Sequence, residues 1–162
     1  MDIDKIVSQM TLEEKADLCS GADFWRTQKI DRLGVLPMMV SDGPHGLRTQ
    51  CTGKGINQSV VSVCFPSSAG LAASFDKIAA ETLGKTLGKE AKEVGVGTLL
   101  GPAINIKRSP LCGRNFEYMS EDPCLAGEMA AAYVSGVQSN GVGVSVKHFA
   151  ANNQESRRTT IN

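Results

Sequence analysis

Apolar residues recur along this chain at two spacings, and the spacing decides which element each stretch predicts. Ile3, Ile6, Val7 and Met10, then Leu12, Ala16 and Cys19, return every three or four positions, which predicts two short helices joined near Met10. Thr11-Leu12-Glu13-Glu14 has the form of a capping box, a hydroxyl followed three residues later by a carboxylate. From Ser74 or Asp76 onward, Ile78, Ala79, Leu83, Leu87, Ala91 and Val94 share one helical face, with Glu81, Lys85, Lys89 and Lys92 mostly opposite. Gly95 closes that helix. Another begins at Asp122-Pro123, an N-cap carboxylate followed by proline at the first helical position, and runs to about Gln138 before Asn140-Gly141. The remaining apolar runs are short and continuous: LGVLPMMVS (33–41), VVSVCFP (60–66), VGTLLGPAIN (96–105) and VGVSVKHF (142–149). They predict strands, the first at an end or edge because of Pro37 and the third covered on both faces.

Strands alternating with helices imply an α/β fold with a parallel sheet and right-handed crossovers. In such folds ligands bind at the carboxyl ends of the strands. Charged residues stand where the apolar runs stop: Asp42 after the first, Arg108 and Arg114 after the third, Lys147 and His148 at the end of the last. Asp42 at a strand end, beside glycines that permit close backbone approach, suits two vicinal sugar hydroxyls; a turn-capping aspartate before Gly43-Pro44 reads equally well. Arg48 either orients that carboxylate or is a solvated loop residue. The polar stretch 105–122 is a candidate functional loop, in which Arg114 lies beside Phe116 and Tyr118. Those two aromatics suit a core better than a sugar platform, and Glu117, Glu121 and Asp122 suit salt bridges or caps better than catalysis. Lys147-His148 ending an apolar run is hard to explain by packing, because buried lysine is rare unless paired. Trp25, the single tryptophan, suits a sugar face or a core anchor.

Seventeen basic residues balance seventeen acidic ones among 162, so no net field favours nucleic acid. The first twenty residues carry acids, among them Asp2, Asp4, Glu13 and Glu14, and no central apolar block, and no apolar stretch is long enough to cross a bilayer. A cytoplasmic protein without a membrane partner is the expectation. Five cysteines without a CxxC pair argue against a disulfide framework and suggest buried or half-buried free thiols. His45 and His148, far apart, offer no metal-ligand spacing.

Four segments together resemble a known family: SDGPHGLR (41–48), FPSSAGLAASFD (65–76), LLGPAINIKRSPLCGRNFEYMSEDP (99–123) and KHFAANNQE (147–155). The pattern is similar to the amino-terminal part of a family 3 glycoside hydrolase of the β-glucosidase type. That resemblance implies a partial (β/α)8, TIM-like barrel over residues 1–162, its parallel strands covered by helices, with the rest of the barrel and a second α/β domain supplied in cis or by another chain. It implies retaining hydrolysis of terminal β-D-glucosyl residues from a β-glucoside or short oligosaccharide, with no cofactor. Asp42, Arg48, Arg114, Lys147 and His148 would line the glycone subsite, and non-proline cis peptides are expected near 147–149. Retaining hydrolysis needs two carboxyl groups about 5 to 5.5 Å apart, and the family places both its nucleophile and its acid/base beyond these positions. No catalytic residue is therefore expected here. The related N-acetylhexosaminidases follow Lys-His-Phe with Pro-Gly-His, where this chain has Ala150-Ala151-Asn152. A β-xylosidase, and a non-catalytic sugar-binding or complementation module, are the alternatives.

Overall fold

The computed structural model describes residues 2–49 and 58–160. It divides into two compact units, Met1–Val40 and Ser41–Asn162.

In the first unit, helices α1 (Ile3–Gln9) and α2 (Leu12–Leu18) form where the apolar spacing predicts. The capping box is present: the Glu14 N–H donates to Thr11 Oγ1 at 3.2 Å and the Thr11 N–H to Glu14 Oε2 at 2.9 Å. Neither helix buries a residue. Arg32 ion-pairs with Glu14 and donates to the Gln9 carbonyl at 2.8 Å, tying a 3-10 turn (Asp31–Leu33) to both helices. The strand expected over 33–41 shrinks to β1 (Val40–Asp42). Gly34 closes the 3-10 turn in the left-handed region, and Pro37 lacks the N–H a ladder requires.

In the second unit the strand order is β1, β2 (Thr98–Leu100), β3 (Gly143–Val144). β2 and β3 pair in parallel, with Thr98 opposite Gly143 and Leu99 opposite Val144. The α/β class predicted from the alternation is the one observed. Helix α4 (Lys77–Glu93) starts at Asp76, which accepts from the Ile78 and Ala79 N–H groups, and α5 (Pro123–Gln138) starts at Asp122, which accepts from Cys124 and Leu125. Both caps are those the sequence signals.

The face by which α4 packs holds the predicted Leu83, Leu87 and Ala91 but turns away from the predicted Ile78 and Val94. It buries Ala80, Leu83, Gly84, Leu87, Gly88 and Ala91, while Ile78 is 77% exposed. The cause is glycine: Gly84 and Gly88 of α4 and Gly136 of α5 meet backbone of the opposite helix, so a Cβ on any of them would overlap it. Tyr133 and Val137 of α5 and Leu87 of α4 complete this seam. Tyr133 also donates its phenol to the Pro44 carbonyl at 2.8 Å, joining α5 to the loop after β1.

Residues 60–66 are not the strand their apolar run predicts. They lie along the loop after β1 through single bonds, Val60 N–H to Thr49 O at 2.8 Å and Phe65 N–H to His45 O at 2.9 Å, and Val61 is fully exposed. A short helix α3 (Ser68–Ala72), capped by Ser67, follows; nothing in the hydrophobic pattern marked it. The described thiols are free, and Cys112 is buried as expected, whereas Cys19, Cys64 and Cys124 are exposed, with Cys51 outside the described residues. Among the described residues no helix is long and apolar enough to cross a membrane.

Candidate functional site

β1 ends in Asp42, and the chain then folds back tightly. Gly43 and Gly46 take φ of +117° and +144°, conformations that side chains disfavour, and a Cβ on Gly46 would stand 2.6 Å from the Val63 carbonyl. The Arg48 N–H donates to the Asp42 carbonyl at 3.0 Å, so Arg48 returns to the carboxylate it follows by six positions. On the other side of the sheet, the extension of β3 carries Lys147, whose N–H donates to Pro102 O at 3.0 Å. His148 is clamped by Asn105, which accepts from its N–H at 2.8 Å and donates to its carbonyl at 3.1 Å. The Lys147–His148 and Phe149–Ala150 peptide bonds are cis, as is Gly101–Pro102. Ala103 bridges in parallel to both Lys147 and Tyr118, which brings the loop 105–122 against the strand end. In that loop a 3-10 turn (Asn115–Glu117), entered through Arg114, presents Glu117 inward.

The charged groups form an alternating chain. Lys147 Nζ lies 2.6 Å from Asp42 Oδ1 and 3.9 Å from Glu117 Oε2, and Arg48 Nη1 lies 3.9 Å from Asp42 Oδ2. Arg114 ion-pairs with Glu117 and, at 3.2 Å, with Glu155. Burial alone would push the Asp42 carboxyl upward, but the Lys147 hydrogen bond and charge outweigh it and hold Asp42 below the ordinary carboxylate range.

Arg114 Nη2 stands 2.7 Å from His148 Nε2, and Tyr118 Oη 3.2 Å from His148 Nδ1. A guanidinium only donates, so Nε2 accepts and the ring proton is assigned to Nδ1, directed at the tyrosine oxygen. Burial first, then the Arg114 and Lys147 charges, lower the His148 pKa, in keeping with this neutral ring.

A cavity of about 540 Å³ opens over these groups. Asp42, Arg48 and Arg114 line it together with His45, Phe116, Glu117 and Arg158, and Ser62 to Cys64 form one wall. Lys147 reaches the cavity's carboxylates without being among its lining residues, and His148 lines a neighbouring hollow of about 350 Å³ with Asn105 and Arg108. The structure thus gathers Asp42, Arg48, Arg114, Lys147 and His148 into one bonded cluster, but Asp42, Arg48 and Arg114 line the larger cavity, His148 lines the second with Arg108, and Lys147 lines neither. Trp25 packs edge-on against Phe24, ring centres 4.9 Å apart. No group of three or more His, Cys, Asp or Glu with metal-holding geometry occurs among the described residues.

The model of the glycosyl hydrolase family 3 N terminal domain matches residues 6–160. The chain belongs to glycosyl hydrolase family 3. It is 59% identical over 99% of its length to thermostable beta-glucosidase B of Acetivibrio thermocellus, and 48% identical over 96% to the exo-alpha-(1->6)-L-arabinopyranosidase of Bifidobacterium breve. It covers 22% and 21% of those proteins, so it spans about a fifth of the curated relatives it matches. Among solved structures, beta-glucosidase 3B from Thermotoga neapolitana in complex with alpha-D-glucose superimposes on 94% of the chain with a TM-score of 0.87 and 43% identity, the chain covering 24% of it. The parallel α/β fold of this chain is that of the TIM-barrel-like N-terminal domain of these family 3 neighbours.

Three lining residues of this family 3 cavity were not singled out from the sequence. His45 gave a faint signal as a histidine between Pro44 and Gly46 in a tight turn. Arg158 sits in a polar tail with no readable period, and Cys64 ends an apolar run that resembled a strand. Phe116 meets His45 edge-on, ring centres 5.7 Å apart, and is half exposed at the cavity.

Proposed function

We propose that this chain supplies a glycone-binding subsite of a retaining family 3 glycoside hydrolase acting on terminal β-D-glucosyl residues. The observation that carries the reading is Asp42: a half-buried carboxylate bonded to Lys147 at 2.6 Å, flanked by Arg48 and facing a cavity of sugar size. A carboxylate held ionised by a cation keeps lone pairs for hydroxyl donors, and charge-assisted hydrogen bonds of this kind are the strong ones. Arg114 and Arg158 add donors for ring hydroxyls, and Phe116 adds an apolar edge.

The same contacts argue against Asp42 as proton donor. A general acid at neutral pH needs a raised pKa, whereas Asp42 and Glu155 are both held low, Asp42 by Lys147 and Glu155 by its bonds to Asn152 and Arg114 against the opposing pull of burial. Glu117 is buried and bonded to Arg114. On this reading the nucleophile and the acid/base come from the remaining barrel and the second domain of the full-length protein, in cis or from another chain.

The test is kinetic. In full-length protein, Asp42→Ala lowers kcat/KM on an aryl β-D-glucoside by more than about tenfold, since a hydrogen bond to a charged group contributes about 1.5 to 3 kcal/mol. Unchanged kinetics would reject the subsite. The Bifidobacterium breve relative supports a second reading, an arabinopyranoside as the bound sugar. Comparing aryl β-D-glucopyranoside with aryl α-L-arabinopyranoside in the parent protein separates the two.

A further inference from the structure

Glu117 is the most buried charged residue of the cluster, at 5% exposure, and among the described residues it is the anion that faces both Arg114 and Lys147. Its Oε1 accepts from Arg114 Nε, and its Oε2 lies 3.9 Å from Lys147 Nζ. Arg114 and Lys147 would otherwise repel one another across a poorly hydrated gap. The backbone of the residue is fixed on both sides, because the 3-10 turn is closed by Glu117 N–H to Arg114 O at 3.1 Å and the next residue bridges to Ala103, the same residue that bridges to Lys147.

We propose that Glu117 is the positioning residue of the sugar subsite: its negative charge holds Arg114 and Lys147 in place at once, so that Lys147 meets Asp42 and Arg114 faces both the cavity and His148. This rests on the subsite reading of Asp42. Three consequences separate it from a merely structural role. The charge matters more than the shape, because an uncharged side chain of the same outline accepts a hydrogen bond but cannot offset two cations. The effect falls on sugar affinity, because Arg114 lines the cavity and Lys147 holds the Asp42 carboxylate that faces it. The effect also depends on those cations being present.

The experiment uses full-length protein and two readouts: kcat/KM on an aryl β-D-glucoside, and the Kd for D-glucose by calorimetry, which needs no turnover. Glu117→Gln is expected to lose about tenfold or more in both. Glu117→Asp, which keeps the charge on a shorter stem, is expected to retain more glucose affinity than Glu117→Gln. In a Lys147→Met or Arg114→Met background, the cost of Glu117→Gln is expected to shrink by about threefold or more, as coupled neighbours require. Parental affinity in Glu117→Gln, better binding by Gln than by Asp, or costs that simply multiply in the double variants would each overturn the role. If Glu117→Gln does not fold, the comparison of Glu117→Asp with the parent, alone and in the Lys147→Met background, decides between coupling and independence. Should Asp42→Ala leave the kinetics unchanged, the subsite reading itself fails; a collapse in Asp42→Ala with a parental Glu117→Gln removes the positioning role alone.

Discussion

The α4–α5 seam and the Asp42 cavity lie at the two ends of one hydrogen bond, Tyr133 to Pro44, yet they are built on opposite rules. The seam buries no charged residue, the ion pair between its helices, Lys77 to Glu128, lying exposed, and it brings two backbones so close that Gly84, Gly88 and Gly136 cannot carry a side chain. The cavity concentrates charge and stays open, with Arg48, Asp42, Lys147, Glu117 and Arg114 alternating in sign across it. Shape holds the first region and charge holds the second. A change of volume should therefore be felt at the seam and a change of charge at the cavity, with little exchange between them.

The largest expected effect that sharpens this contrast is Gly136→Ala. Its new methyl runs into the backbone of Glu81 and Lys85, and overpacking of this kind costs up to about 3 kcal/mol. A chemical denaturation curve of the full-length protein should show that loss, while KM of the folded fraction stays at the parental value. A matching change in KM would break the division between the two regions.

Tyr133→Phe comes next, because Tyr133 belongs to both regions. It removes the donor from the buried Pro44 carbonyl, two residues beyond Asp42, and should cost about 1 to 2 kcal/mol of stability together with a rise in KM of about twofold. Stability lost without any change in KM would show that α5 does not support the loop.

The smallest effect is electrostatic. Burial and the Arg114 and Lys147 charges depress the His148 pKa in the folded protein relative to about 6.5 when unfolded. Its contribution to stability is then fully present above that value and declines as pH falls toward the folded pKa. In histidine-labelled full-length protein, the His148 ring should titrate below about 6.5 by NMR; titration at or above that value would contradict the neutral ring held between Arg114 and Tyr118.

The same contrast explains what the sequence disclosed. Helix ends were legible because their signals are local: Asp76 before α4 and Asp122-Pro123 before α5 lie next to the N–H groups they cap. The packing face of α4 was legible in part: Leu83, Leu87 and Ala91 stood in its apolar row, whereas Gly84 and Gly88, which meet α5 backbone, add nothing to an apolar pattern. The run 60–66 looked like a strand, and a row of apolar side chains cannot reveal that its backbone is spent on single bonds to the loop at 45–49. Asp42 and Lys147 could be singled out as charges ending apolar runs, although 105 positions separate them. Arg158 could not, since it lies in an unpatterned tail, and the double duty of Glu117 depends on Ala103 pairing with two segments at once.

The central claim is that the alternating charges around Asp42 hold one terminal sugar. A crystal structure of the full-length protein with glucose tests it most directly. The account predicts a sugar hydroxyl oxygen about 3 Å from the Asp42 carboxylate and another within reach of Lys147 or Arg114. Glucose bound with no contact to Asp42 would contradict it.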